Sequence, residues 1–142
     1  MIHGIDTSFL VAMEILGHGQ HSASRARFLS LARKGDQFAL APQVLAEFIH
    51  VVTDSRRFSN PLGFDTARER VEAWWNAEEV ISVFPTDEST TRFLSWLLLH
   101  QLGRKRLLDT LLAATLEGAG VSSLLTLNRK DFEVFGCFDF PS

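Results

Sequence analysis

Three acids in this 142-residue sequence sit where acids are seldom placed. Asp6 follows the apolar run Ile2 to Ile5, and Glu47 lies at the edge of a stripe formed by Val44, Leu45, Phe48, Val51 and Val52. Asp109 stands near the start of an almost wholly apolar segment beginning Leu107-Leu108. A carboxylate in such surroundings is costly unless it is paired or holds a cation. Several carboxylates brought together repel, and at neutral pH one keeps its proton unless a cation lies among them. Oxygen ligands select hard ions, and a few carboxylates plus waters suit Mg²⁺, with Mn²⁺ as a substitute. Such an ion orients and acidifies a water and neutralises charge on a phosphodiester. The chemistry suggested is metal-assisted phosphodiester hydrolysis.

Singly, each acid has a plainer reading. Asp6 reads as a helix cap or turn residue, and Glu47 as a snorkelling or salt-bridged acid. Asp109 reads as a cap, although Leu107 and Leu108 before it carry no turn chemistry. Asn128 and Asp131 read as the turn after a strand. Only the joint arrangement favours a site, and it requires elements that bring positions 6, 47 and 109 together.

The sequence offers such elements. Strand 2–5 precedes Asp6, and a helix over 8–16 is capped by Thr7 or Ser8. A turn at Gly17-His18-Gly19 leads to a helix over 22–34, a buried strand over 38–42 and the Glu47 helix to Val52. A polar loop over 54–64, a helix over 65–76, a short strand over 79–84 and a helix from Pro85-Thr86-Asp87-Glu88 to about His100 follow. After a basic loop over 101–106 comes the Asp109 helix, broken by Gly118 and Gly120, then a buried strand over 121–127 and a last short strand near 137–140. Strands alternating with helices predict an α/β fold with a mostly parallel central sheet flanked by helices. In such sheets chemistry gathers at the carboxyl ends of the strands.

Composition bounds the rest. The length predicts one domain over 1–142 with a sizeable core. Hydrophobic residues at 46% against 22% charged describe a globular chain, neither disordered nor membranous. A single cysteine, Cys137, excludes a disulfide framework and fits a reducing compartment. No signal peptide or spanning segment is read at the start, so a cytoplasmic location and no membrane partner are expected. The net charge of −3 lacks the excess expected of a domain relying on general phosphate attraction. Cations nevertheless cluster at Arg56-Arg57, at Arg104-Lys105-Arg106 and at Arg129-Lys130, where they either ring the acids or serve as solvated surface charges.

Four stretches resemble the ordered motifs of PIN-domain nucleases, above all VapC-type toxins of toxin–antitoxin systems. They are Asp6-Thr7-Ser8-Phe9-Leu10, Pro42 to Phe48, Leu108-Asp109 with Leu112-Ala113-Ala114, and Leu125 to Phe132. The resemblance spans residues 6 to about 135. It implies that Asp6 and Asp109 bind the metal directly, while Glu47 acts directly or through water. Ser8 matches a small polar residue beside the first acid, and Thr126 matches the Ser/Thr before the last site position. That last position, often Asp in the family, is Asn128 here, which keeps an oxygen ligand and loses a charge. One well-bound ion is therefore expected, with a second weak or supplied by the substrate, and Asp131 as a supporting acid. Arg104, Lys105, Arg129 and Lys130 are expected to dock RNA on either side of the break. A small antitoxin and a homodimer are the expected protein partners.

Other readings stay open. A PIN-fold nuclease of RNA processing or DNA metabolism fits the same acids, and the lost charge at Asn128 allows a degenerate nucleic-acid-binding module. The five histidines have no zinc spacing, and His18 and His21 read as surface residues. No Gly-rich phosphate loop is present. Cys137 reads as a core thiol. Adjacent Trp74 and Trp75 point about 100° apart on a helix, so one of them is a candidate interface residue.

Overall fold

The computed structural model describes all 142 residues. Four short strands, β1 (Ile2–Ile5), β2 (Gln37–Leu40), β3 (Val80–Ser82) and β4 (Ser123–Leu125), form one sheet in the order β3-β2-β1-β4. Every pairing is parallel, with His3 opposite both Phe38 and Ser123. Helices α1 (Thr7–Glu14) and α2 (His21–Arg33) connect β1 to β2. Helices α3 (Pro42–Val52) and α4 (Phe64–Trp75) connect β2 to β3. Helices α5 (Asp87–Leu99) and α6 (Leu107–Gly118) return the chain to β4, and a short α7 (Lys130–Glu133) follows. No helix is long and apolar enough to cross a membrane.

The central strands are covered on both faces, which explains their continuous apolar runs. Phe38, Ala39 and Leu40 of β2 are wholly buried, and Phe9, Leu10, Phe48, Leu112, Leu116 and Phe132 pack into the same core. On α3 the buried positions Val44, Phe48 and Val52 recur every four residues, leaving Glu47 at the margin of the buried face. Gly4 has a positional role. A Cβ there would lie 2.6 Å from Leu116 Cδ1, so its absence lets α6 lie close over β1. The helix carrying Asp109 is thereby set against the strand that ends at Asp6.

The end of α6 follows from its glycines, with a division of labour between them. Gly118 is the last helical residue, and Gly120 takes the left-handed conformation at φ +78°. Gly120 N then donates to Glu117 O (3.0 Å) and Val121 N to Leu116 O (3.0 Å), the paired closure of a Schellman motif.

Three expectations are corrected. The cap of α1 is Asp6, as the plainer reading of that residue had it, and not Thr7 or Ser8: its carboxylate accepts from Thr7 N at 2.8 Å, a role carboxylates fill well. The 137–140 segment is not a strand. It makes one isolated bridge, Asp139 to Ser123, between the left-handed Gly136 (φ +67°) and Pro141, which has no N–H to continue a ladder. The 121–127 strand shortens to three residues, because Thr126 and Leu127 leave the sheet to meet Asp6 and Ser8.

Candidate active site

The strand order reverses between β1 and β4: the chain runs outward through β2 and β3, then crosses back to the other side of β1. In open parallel sheets ligands bind outside the carboxyl ends at such a switch point. Asp6 stands there, joined to the end of β4 by a bond from its backbone N to Leu125 O at 3.0 Å.

The Asp6 side chain is held by three groups that all donate inward. Oδ1 accepts from Thr7 N, while Oδ2 accepts from Ser8 Oγ at 2.8 Å and from Thr126 Oγ1 at 2.7 Å. Each hydroxyl is itself oriented by a backbone amide. Leu127 N donates to Ser8 Oγ, and Asn128 N to Thr126 Oγ1, both at 3.0 Å. Each hydroxyl thus accepts from an amide while donating to the carboxylate, and the bonds polarise one another. Burial nonetheless raises the Asp6 pKa above the usual carboxylate value, against the lowering effect of these bonds.

Glu47 and Asp109 complete a cleft of about 580 Å³, whose walls include Ser8, His18, Arg57, Phe58 and Asn128. Burial, then the charges of Asp6 and Asp109, push the Glu47 carboxyl up to about 7. Burial, then the charges of Asp6 and Asp131, push Asp109 up to about 6, opposed by Arg106. Arg106 Nε lies 3.6 Å from Asp109 Oδ2, within ion-pair range and too long for a hydrogen bond. The cleft thus gathers three acids, of which Asp109 has Arg106 in ion-pair range, and Arg57 stands on the same wall.

The donor set fits a hard divalent cation in part. All the acids offer oxygen, and the buried Thr7 Oγ1 beside them has no hydrogen-bond partner, although it lies near enough to Glu47 to favour its charged form. Yet no three His, Cys, Asp or Glu side chains stand in a ready-made ligand cluster.

The structure brings Asp6, Glu47, Asp109, Asn128 and Ser8 to this cleft, with Thr126 bonded behind Asp6. Asp131 stays outside it. It lies 3.9 Å from Arg106 Nη1, and its carbonyl accepts from Arg106 Nη2, so Arg106 ties α7 to the Asp109 helix. Arg129 and Lys130 line an adjoining cavity together with Asn128 and Asp131. Arg129 is paired with Glu133 at 3.3 Å and lies over the Phe140 ring. Arg104 and Lys105 stand exposed on a single 3₁₀ turn, Arg104–Arg106, away from the cleft walls. The wall residues His18, Phe58 and Thr7 were not legible as site residues. No motif marks His18 or Phe58, whose place depends on how two loops fold over the strand ends, and Thr7 stood in the first motif without a role of its own.

No family model matches the chain, and no curated protein matches it. Solved structures do match. The toxin VapC20 of Mycobacterium tuberculosis, described as cleaving the Sarcin-Ricin loop, superposes with a TM-score of 0.76 at 20% identity, over 100% of both chains. VapBC2 from Rickettsia felis, solved with a DNA fragment from their promoter, gives a TM-score of 0.68 at 19% identity, over 99% of this chain and 97% of that one. VapBC-1 from nontypeable Haemophilus influenzae gives 0.65 at 16% identity, over 100% and 98%. The chain therefore has the PIN-like α/β fold of VapC structures.

Proposed function

We propose that this chain is a divalent-metal-dependent endoribonuclease and the toxic member of a toxin–antitoxin pair. The observation that carries the reading is the gathering of Asp6, Glu47 and Asp109 in one cleft at the switch point of the sheet. The likeness in fold to VapC20 agrees with it.

Asp6 and Asp109 would hold Mg²⁺, or Mn²⁺ in its place, with Asn128 contributing an uncharged oxygen. When bound, such an ion supplies charge neutralisation at a phosphodiester and a water acidic enough to react at neutral pH. Ser8 and Thr126 fix the Asp6 carboxylate and keep both its oxygens from swinging. Glu47, facing the same cleft, is placed to take a proton from an attacking water, directly or through a water on the ion. Arg57 on the cleft wall docks the RNA backbone, and the outlying Arg104, Lys105, Arg129 and Lys130 extend that contact. A small antitoxin is the expected partner. Exposed Leu94, Leu98 and Leu99 on α5 offer a face for homodimer formation.

The test is to incubate partner-free protein with mixed RNAs and Mg²⁺ and to map the cleaved ends. Cleavage is expected from the wild type, and none from Asp6→Asn or in the presence of a chelator. Expression of the wild-type chain alone should arrest growth, with rescue by a directly binding small protein. Intact RNA under every metal condition would remove the nuclease reading. Cleavage in vitro with harmless accumulation in the host would remove the toxin role alone.

A further inference from the structure

Beside the acid cleft lies a second cavity, of about 390 Å³, between the turn Ile15 to His18 and the loop Phe58 to Leu62. His18 and Phe58 are walls of both. We propose that this cavity receives the base of a nucleotide next to the scissile phosphate of single-stranded RNA, stacked on Phe58. The inference rests on the ribonuclease reading and adds to it a subsite that selects where the strand is cut.

Phe58 is built as a platform. It is half-buried, packs against the core and lines both cavities. Its backbone is fixed by Asp54, whose carbonyl accepts from Arg57 N and Phe58 N, both at 3.1 Å. The Asp54 carboxylate accepts from Arg56 N at 2.9 Å and from Arg56 Nε at 3.2 Å, and lies 3.5 Å from Arg57 Nε. These bonds hold its pKa below the ordinary carboxylate value, so the anchor stays charged. Leu62 N closes the loop onto Val52 O at 2.9 Å. A ring already immobilised loses little freedom when a base stacks on it. Stacking on an aromatic side chain is a general means of holding an unpaired base.

The surrounding groups suit a nucleotide. Ser59 and Asn60 place a hydroxyl and an amide in the wall, able to donate to and accept from a base edge. Gln20 N donates to His18 Nδ1 at 3.0 Å, so the neutral ring carries its proton on Nε2 and offers a donor at the border of the two cavities. Glu14, the acid in this wall, is compensated by Arg70 Nη1 at 3.0 Å. A polyanion entering this cavity meets no unpaired carboxylate, unlike in the neighbouring cleft.

The experiment measures binding rather than cutting. Labelled RNA octamers of uridine or of adenosine, and an octamer of ribose phosphates lacking bases, are titrated into the Asp6→Asn chain by fluorescence anisotropy. The base-bearing octamers should bind about tenfold more tightly than the base-free one, and adding Phe58→Leu should remove most of that gap. Adding Asn60→Ala should change the ranking of uridine against adenosine. Circular dichroism and a thermal melt check that Phe58→Leu is folded; if it is not, Asn60→Ala on the exposed loop decides the matter through the ranking. Equal affinity for all three octamers, absence of binding, or a gap unchanged by both substitutions overturns the inference. Cleavage by the wild type is scored separately. Cutting without a base-dependent gap defeats the subsite alone, and a gap without cutting defeats the nuclease reading alone.

Discussion

The two ends of the parallel sheet hold similar side chains in opposite states. Towards the amino end, His3 Nδ1 meets Ser123 Oγ at 2.7 Å and His3 Nε2 meets Asp36 Oδ2 at 2.9 Å. The N-terminal ammonium closes the chain on Asp36 Oδ1 at 3.3 Å. Serine, histidine and aspartate are the types of a hydrolase triad, but here Nδ1 faces the serine, the reverse of that arrangement. His3 and Ser123 are also only 2% exposed, so no substrate reaches them. At the carboxyl end, Asp6, Glu47 and Asp109 open onto a cleft, and only Asp109 has a cation in ion-pair range. Residue type does not separate structure from function here. Access and unsatisfied charge do.

The largest expected contrast is in rate. Asp6→Asn and Asp109→Asn should each lower RNA cleavage by about 10²-fold or more. His3→Gln should leave the rate within a few-fold. A His3→Gln loss as deep as that of Asp6→Asn, in folded protein, would erase the distinction between the two ends.

Stability should order the same variants the other way. Breaking the Asp36–His3–Ser123 chain leaves buried groups unpaired, so His3→Gln should cost about 1–3 kcal/mol in denaturant titration. Asp6→Asn without metal should stay folded or gain slightly, because repulsion among the acids falls. A marked destabilisation by Asp6→Asn would mean that its capping role outweighs that repulsion.

Much of the carboxyl end was legible in the sequence, and almost nothing of the amino end. Asp6, Glu47 and Asp109 each interrupt an apolar run, and that local anomaly survives without knowledge of the fold. His3, Asp36 and Ser123 interrupt nothing. They are ordinary polar residues until the parallel register places His3 beside Ser123. Ser8 and Thr126 lie between these cases: the resemblance marked them, but only the folded chain puts both hydroxyls on one Asp6 oxygen. The bridge at Asp139 and the wall formed by Phe58 depend on loop paths, which turn chemistry alone does not fix.

The two ends should also respond oppositely to pH in metal-free protein. Glu47 titrates near 7 when folded against an ordinary 4.5, and Asp109 near 6 against 3.8. Their folded forms bind protons more tightly, so the stability they contribute is full below the ordinary values and is lost as pH rises towards 6 and 7. The Asp36 pKa is lowered, chiefly by its bond to His3, so its contribution is present above 3.8 and is lost as pH falls through the lower folded value. Denaturation midpoints between pH 4 and 8 should fall on the alkaline side in wild type and flatten in a Glu47→Gln, Asp109→Asn double variant. An unchanged slope in that variant would place the linkage elsewhere.

The smallest effect expected is at Asn128. Restoring a charge with Asn128→Asp should make activity saturate at lower Mg²⁺, with little change in the saturated rate. An identical Mg²⁺ dependence would put Asn128 on the wall and outside the ion's reach.

Calorimetric titration of Mn²⁺ into partner-free protein tests the distinction between the two ends most directly. Wild type and His3→Gln should bind one ion per chain with matching affinity. Asp6→Asn and Asp109→Asn should each weaken binding by at least about tenfold, since even groups behind the ligands cost that much when removed. Binding that survives unchanged in both aspartate variants, or no binding by the wild type, would contradict the assignment of the carboxyl end as the cation site.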